Sequence, residues 1–204
     1  MAIDVVLFDY SGVMTSDFTV PTDGVPYDID ALFTEMIGAM MNEREHPWHA
    51  LERGEITLDA FIADVESRVP HAGAAFAADS PLNVMANLSL RPDRVELVRS
   101  LRSSDVRVGL VTNNVAEWAP LWQPALGDDL FEVVIDSSAV GHRKPEAAIY
   151  ELAVDRFDVT ADQALFIDDW TWNVDGAVAA GLHGLHCDGD VDLGSAIRER
   201  LQAA

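Results

Sequence analysis

Residues 3–14 read IDVVLFDYSGVM, and this stretch decides the fold that we expect. Residues 3–8 are almost unbroken in apolar and β-branched side chains, which is typical of a strand buried on both faces of a parallel sheet. Asp9 then lies at the carboxyl end of the strand, where open α/β sheets bind their ligands, and Gly12 allows a sharp turn after it. A carboxylate there serves as a nucleophile or a metal ligand, or it merely caps a turn. This stretch alone leaves these interpretations open.

The composition limits the classes of protein to which the chain can belong. A chain of 204 residues accommodates one α/β domain with an insertion, and 49% hydrophobic residues without a run of ~20 predict a soluble globular protein with no membrane partner. A start without signal-peptide features and the single Cys187 predict a cytoplasmic protein. Whether it is a monomer or a homodimer stays open. The net charge of -22 disfavours nucleic acid as a partner. An anionic substrate would therefore need a local cation, either a metal ion or a basic side chain.

The order of helical and strand patterns predicts an α/β fold with an inserted helical segment. Residues 15–88 contain amphipathic helical patterns, at 28–42 and after Thr57 as a helix N-cap, and lack a strand pattern. From residue 91 helices and strands alternate, which predicts a Rossmann-like parallel sheet with helices on both faces. The predicted strands are 106–111, 133–136, 164–167 and 184–187, and the predicted helices are 91–103, 117–123, 145–157, 172–180 and 195–202. We expect residues 1–14 and 89–204 to form the core domain and residues 15–88 to form a small helical cap.

Polar side chains follow three of the predicted strands at the same edge of the sheet. They are Asp9, Thr112, Asn113, Asp168 and Asp169. Lys144 precedes a predicted helix and reaches the same edge. Mg²⁺ prefers a few hard oxygen ligands together with substrate phosphate, so Asp9 and the acidic pair are candidate ligands for it. Thr112 and Lys144 are candidates for holding phosphate oxygens, with Asn113 supporting the phosphate loop.

Four segments of the chain resemble, in the correct order, the four motifs of the haloacid dehalogenase-like hydrolases. They are FDYSGV, LVTNN, RKPEAAIY and FIDDWTWNVDGAVAAG, and the inserted segment resembles the small cap of one subfamily. This resemblance implies that Asp9 is a nucleophile, that Lys144 is catalytic and with Thr112 binds the substrate phosphate, and that the acidic pair binds Mg²⁺. The phrases ERGEIT, LRPD and GHRKPEAAIY are closest to bacterial sugar-phosphate phosphatases such as glucose 1-phosphate phosphatase. The implied substrate is a small phosphorylated metabolite, and the implied intermediate is an aspartyl-phosphate on Asp9.

The sequence departs from the pattern of the family at Ser11. Phosphatases of the family usually carry an aspartate there as general acid and base, and a hydroxyl cannot titrate near neutral pH. The backbone carbonyl of Ser11 is still expected to serve the metal. Three explanations stay open. The leaving group departs without protonation, an acid from the cap protonates it, or the protein is a slow phosphatase or not a phosphatase. The nominated cap acids are His46, His49, Glu52 and Glu55.

Two alternative functions follow from the same residues. A 2-haloacid dehalogenase uses the same aspartate without a metal, and a binding or regulatory protein would keep the pocket without turnover. Asp168 and Asp169 beside Asp9 favour a metal and hence a phosphatase, because three close carboxylates without a cation are unstable unless protonated. Asn173, four residues after Asp169, is a candidate for orienting a metal-bound water.

Overall fold

Within the described residues, five parallel strands form the centre of the fold. The computed structural model describes residues 2–16, 26–40, 46–77, 88–189 and 192–203. The strands are β1 (Val5–Phe8), β2 (Arg107–Thr112), β3 (Val133–Asp136), β4 (Ala164–Asp168) and β5 (His183–His186). They run side by side in the order β3-β2-β1-β4-β5, with every neighbouring pair parallel. The predicted α/β class is confirmed, and β1 occupies the middle of the sheet.

Some helices pack on the two faces of this sheet, and the others lie in the segment inserted after β1. They are α1 (Ile29–Met40), α2 (Pro47–Glu52), α3 (Leu58–Glu66), α4 (Gly73–Phe76), α5 (Pro92–Arg102), α6 (Ala119–Leu126), α7 (Ser137–Val140), α8 (Ala147–Phe157), α9 (Thr171–Ala179) and α10 (Leu193–Ala203). Because side chains alternate along a strand, Val6 and Phe8 of β1 belong to one apolar cluster and Val5 and Leu7 to another. None of the described helices is long and apolar enough to span a membrane.

The register of the strands brings their carboxyl ends to one edge. Phe8 lies between Leu110 of β2 and Ile167 of β4, and the backbone N–H of Asp9 donates to the carbonyl of Ile167 at 2.9 Å. After Asp9 the chain bends through an irregular turn at Tyr10–Met14, in which Gly12 has a φ of 77°. Two strands beyond β1 in either direction, Val134 of β3 and Leu185 of β5 lie at the level of Phe8. The polar residues that follow β1, β2 and β4 therefore share one edge.

The inserted helices connect to the sheet through two adjacent backbone segments. Thr15, where the chain leaves the core, forms an antiparallel bridge with Leu90, where the chain returns. Ser16 N–H donates to the Ser89 carbonyl at 3.1 Å, and Arg91 N–H donates to the Met14 carbonyl at 2.9 Å. Helices α1–α4 lie between these two segments in the chain, at the point where the sequence predicts the division into core and cap.

Most predicted elements match the structure to within a few residues, but the region around Pro145 differs. Thr57 caps α3 as predicted, its Oγ1 accepting from the backbone N–H of Ala60 at 3.2 Å. Pro145 does not lie in the first turn of α8, because Glu146 is the N-cap and the helix begins at Ala147. The Lys144–Pro145 peptide bond is cis. Predictions for residues 17–25, 41–45 and 78–87 lie outside the described residues.

Candidate active site

A buried lysine joins two of the predicted carboxylates. Lys144 Nζ lies 2.6 Å from Asp9 Oδ1 and 2.6 Å from Asp168 Oδ2. The side chains of Lys144, Asp9 and Asp168 are only 1%, 8% and 0% exposed, so water screens these contacts little. Burial opposes the charged form of Lys144, but the carboxylates of Asp168 and Asp9 outweigh it and raise the pKa of the ammonium. The lysine therefore stays protonated between its two partners.

The backbone of Lys144 is fixed by Asn113 from the end of β2. The Asn113 side chain accepts from Lys144 N–H at 2.8 Å and donates to the Lys144 carbonyl at 3.0 Å. On the other side, α9 approaches the same loop at Gly176, where a Cβ would lie 2.6 Å from Pro145 Cβ and 2.8 Å from Pro145 O. Both polar atoms of the Asn113 side chain, Oδ1 and Nδ2, therefore bind the backbone of Lys144.

Asp168 is saturated with hydrogen-bond donors. Besides Lys144, its carboxylate accepts from the backbone N–H of Trp170 at 2.8 Å and from Asn173 Nδ2, which lies 3.1 Å from each oxygen. The Asn173 backbone is held in turn, because Tyr150 OH donates to its carbonyl at 2.7 Å. Asp168 is thus an organising group that orients Lys144 and the start of α9.

Asp169 is different, because one of its oxygens is buried without a partner. Among the described residues, no group donates to Asp169 Oδ1. Burial, with a further contribution from the charge of Asp168, raises the pKa of Asp169 to about 6. Gly12 lies so close that a Cβ there would be 2.3 Å from Asp169 Oδ2. The turn after Asp9 therefore needs glycine both for its positive φ and for the space that Asp169 occupies.

Three carboxylates converge closely enough to share a cation. Ligand oxygens of Asp9, Asp168 and Asp169 all lie within 4.8 Å of one another. Burial raises the pKa of Asp9 well above its usual value, and Asp168 and Asp169 raise it further, against the opposing effect of Lys144. The single positive charge of Lys144 cannot neutralise three carboxylates, and the buried Asp169 Oδ1 accepts no hydrogen bond among the described residues. The donor set consists of hard oxygens and fits a divalent cation such as Mg²⁺.

The remaining predicted site residues lie on the same edge but differ in their contacts. Thr112, at the end of β2, is 1% exposed, and its Oγ1 is 3.3 Å from the Asn113 carbonyl. Ser11 is partly exposed, with extended backbone angles two residues after Asp9. Its backbone carbonyl stays the predicted metal ligand.

The acids that the sequence nominates in the cap are already engaged. Glu52 pairs with Arg143, its Oε2 lying 2.6 Å from Arg143 Nε, and both side chains are at most 5% exposed. Glu55 is exposed and pairs with Arg53 at 2.8 Å. The His46 ring accepts from Trp48 N–H at 3.1 Å and thereby caps α2. These contacts give Glu52 and His46 structural partners in this conformation.

Comparison with known proteins gives the family of the chain. Residues 3–181 match the family described as "haloacid dehalogenase-like hydrolase". The chain belongs to this family. Its relatives include "Sesquiterpene phosphatase astK" from Aspergillus oryzae, which is 31% identical over 153 residues, 74% of this chain and 76% of that protein. "Phosphatase MT3486" from Mycobacterium tuberculosis is 28% identical over 200 residues, 92% of this chain and 88% of that protein.

A solved structure shares the fold over nearly the whole length of this dehalogenase-like hydrolase. It is a HAD family enzyme from Bacteroides thetaiotaomicron, crystallised as a complex with magnesium and inorganic phosphate. The TM-score is 0.63 at 19% identity, and the match covers 96% of this chain and 100% of the other. At this level of identity the comparison supports the fold.

Sequence reasoning missed two neighbours of Lys144. Arg143 precedes it directly and pairs with Glu52 of the inserted segment, and Gly176 on α9 leaves room for Pro145. Arg143 could have been found from the sequence, because in GHRKPEAAIY it is a second cation directly beside the predicted catalytic lysine. Gly176 offered no comparable signal, since a glycine inside a helix has several explanations.

Proposed function

We propose that the protein is a Mg²⁺-dependent phosphohydrolase that acts on a small phosphorylated metabolite such as a sugar phosphate. The observation that carries this proposal is the cluster of Asp9, Asp168 and Asp169 within 4.8 Å, with a buried Asp169 oxygen that has no donor. Such a cluster favours a divalent cation, and a dehalogenase has no need of one. The phosphatase names of two relatives agree with this reaction.

In the proposed mechanism Asp9 is the nucleophile. An Asp9 carboxylate oxygen attacks phosphorus, and the bond from phosphorus to the leaving oxygen breaks, which leaves an aspartyl-phosphate. Lys144 and Thr112 stabilise the negative charge of the transferring phosphoryl oxygens. Water then attacks phosphorus, the bond to Asp9 breaks, and the products are inorganic phosphate, which keeps the protons of the water, and the free Asp9 carboxylate.

Mg²⁺ would be held by Asp9, Asp169 and the carbonyl of Ser11, with Asp168 positioned next to it. When bound, it supplies positive charge that neutralises the phosphate oxygens and brings the anionic substrate to an acidic protein. Asp168 keeps Lys144 oriented, since its oxygens already accept from the lysine, Trp170 and Asn173. Asn113 keeps the backbone of Lys144 in place.

The proton for the leaving group has no assigned donor, because Ser11 stands where the family usually has an acid. Glu52, buried on Arg143, is a poor donor as long as that pair holds. A leaving group that departs without protonation, such as an anomeric or acyl phosphate, suits this arrangement. A Ser11→Asp variant should then speed poor leaving groups more than activated ones, and an equal change for both would count against this explanation.

We further propose that residues 15–88 act as a cap domain over the core formed by 1–14 and 89–204. Aromatic side chains of the cap pack on the core, with Trp48 and Trp118 ring centroids 6.3 Å apart and Phe76 stacked on Trp118 at 6.4 Å. Closing such an apolar lid would exclude water during phosphoryl transfer.

The test is a panel assay of the purified protein with Mg²⁺. The substrates are sugar phosphates, acyl phosphates, a prenyl phosphate and a 2-haloacid, with release of phosphate and halide as readouts. Phosphate release that is lost with EDTA and in Asp9→Asn supports the proposal and begins to identify the substrate. Halide release that survives EDTA would replace it with a dehalogenase, and silence across the panel would favour a binding or regulatory protein.

A further inference from the structure

The loop that carries Lys144 is held from the cap side by a buried ion pair. Arg143 Nε donates to Glu52 Oε2 at 2.6 Å, and both side chains are at most 5% exposed. Glu52 is the last residue of α2, and Arg143 is the residue immediately before Lys144. A residue of the cap is thus in direct contact with the neighbour of Lys144.

A second contact holds the other end of the same loop. The Glu146 carboxylate accepts from the backbone N–H of Arg143 at 3.1 Å, which closes the turn around Lys144. Arg53, next to Glu52 in the cap, donates from Nη1 to Glu146 Oε1 at 2.9 Å. Two consecutive cap residues therefore bind the two ends of a four-residue loop.

The backbone of the cap lies directly on the core at this place. Gly54 has a φ of 68°, and a Cβ there would be 2.3 Å from the carbonyl oxygen of Ser138 in α7. Only a glycine fits this approach without moving one of the two segments. Glycine at this position lets the end of α2 settle against the core closely enough for Glu52 to reach Arg143.

We infer that Glu52 and Arg143 are positioning residues that couple the docking of the cap to the placement of Lys144. This inference rests on the proposed function, in which Lys144 stabilises the transferring phosphoryl group. Asn113 holds the lysine backbone from the core, and Glu52 holds the preceding residue, Arg143, from the cap. When the pair is broken, one charge stays buried without a partner, so the loop must move to hydrate it. The lysine then leaves its position between Asp9 and Asp168.

The test compares Glu52→Gln with Glu52→Asp and with a matched control, Glu132→Gln. Glu132 also pairs with an arginine, Arg107, but it is exposed and lies before β3, at the opposite end of the sheet. Two readouts are needed. The first is hydrogen–deuterium exchange of the peptide that contains residues 143–146, which requires no activity. The second is kcat and KM for phosphate release from the substrate that the panel identifies.

We expect the exchange rate of the 143–146 peptide to rise at least tenfold in Glu52→Gln, while the exchange rate of the β2 peptides in that variant stays as in the wild type. In the control variant Glu132→Gln, the 143–146 peptide should exchange as in the wild type. We expect kcat to fall about 10- to 100-fold with KM changed less than threefold, because a small displacement of a catalytic group acts on the transition state. Glu52→Asp, which keeps the charge, should recover part of the loss.

Several results would overturn this inference. Unchanged exchange in 143–146, or exchange that rises equally in β2, would mean that the pair only stabilises the fold. A rise in KM alone would mean that Glu52 or Arg143 contacts substrate. If Glu52→Gln does not fold, Arg143→Lys takes its place with the same two readouts. If the wild type releases no phosphate, the proposed function fails, and the exchange result still decides the positioning role.

Discussion

Replacement of Lys144 by methionine should reveal how strongly the buried cluster depends on its one ammonium group. Methionine keeps most of the volume and removes the charge. Two unit charges at the observed 2.6 Å attract each other by about 6 kcal/mol at an effective dielectric constant of ~20. Loss of solvation offsets much of this attraction, and truncation of one partner of a buried pair typically costs ~3–5 kcal/mol. We expect Lys144→Met to lower the free energy of unfolding by about that amount.

The assay is urea unfolding followed by tryptophan fluorescence at pH 7 with EDTA. The loss should shrink at pH 5, because burial raises the pKa of Asp9 and the opposing effect of the Lys144 ammonium is gone in the variant, so Asp9 takes up a proton. The double variant Asp9→Asn/Lys144→Met should lose less free energy of unfolding than the sum of the two single variants, by about 1–3 kcal/mol. The reason is that the double variant also lacks one of the unpaired carboxylates.

Mg²⁺ should stabilise Lys144→Met more than the wild type, because the variant lacks the ammonium group that contacts Asp9 and Asp168. Two results would refute the reasoning. One is a loss below about 1 kcal/mol for Lys144→Met. The other is full additivity with Asp9→Asn, which would mean that the two side chains do not interact in the folded protein.

Three further predictions follow from Asp169 and from two close approaches of glycine. Gly12→Ala, whose Cβ would lie 2.3 Å from Asp169 Oδ2 in a backbone with φ of 77°, should weaken Mg²⁺ binding at least tenfold by calorimetric titration. In Gly176→Ala the new Cβ would lie 2.6 Å from Pro145 Cβ, so the free energy of unfolding measured in urea should fall by about 1–3 kcal/mol and kcat should decrease. An unchanged kcat would mean that α9 does not position the Lys144 loop. The pKa of Asp169 is raised to about 6, so protons compete with Mg²⁺ below that pH; the Mg²⁺ dissociation constant should be about tenfold larger at pH 5 than at pH 7, and less pH-dependent in Asp169→Asn.

The strands and helices that produce a local pattern of apolar residues were predictable from the sequence. The apolar run before Asp9 gave the central strand, because a strand buried on both faces has few polar residues. The alternation after residue 91 gave the parallel sheet, and the carboxyl ends of its strands gave the site edge. The residues that follow β1, β2 and β4 came from this argument, and the resemblance to the family gave each of them a role.

The parts that depend on distant contacts were not predictable. Glu52 and Arg143 are 91 positions apart, and no periodicity connects them. Helices α2 and α7, with 6 and 4 residues, are too short for an amphipathic pattern to be recognised. Pro145 was expected in the first turn of α8, since proline favours that position, but it precedes the N-cap. A short helix and a packed loop are decided by their tertiary contacts.

The bridge between Thr15 and Leu90 has a consequence for how this enzyme can diversify. The two ends of the inserted segment are already neighbours, so the core would remain a continuous sheet if the segment between them were exchanged for another. Substrate preference would then vary as a module, independently of Asp9 and its partners. The Glu52–Arg143 pair limits this freedom. A transplanted segment must bring its own acid to Arg143, or it leaves a buried cation unpaired beside Lys144.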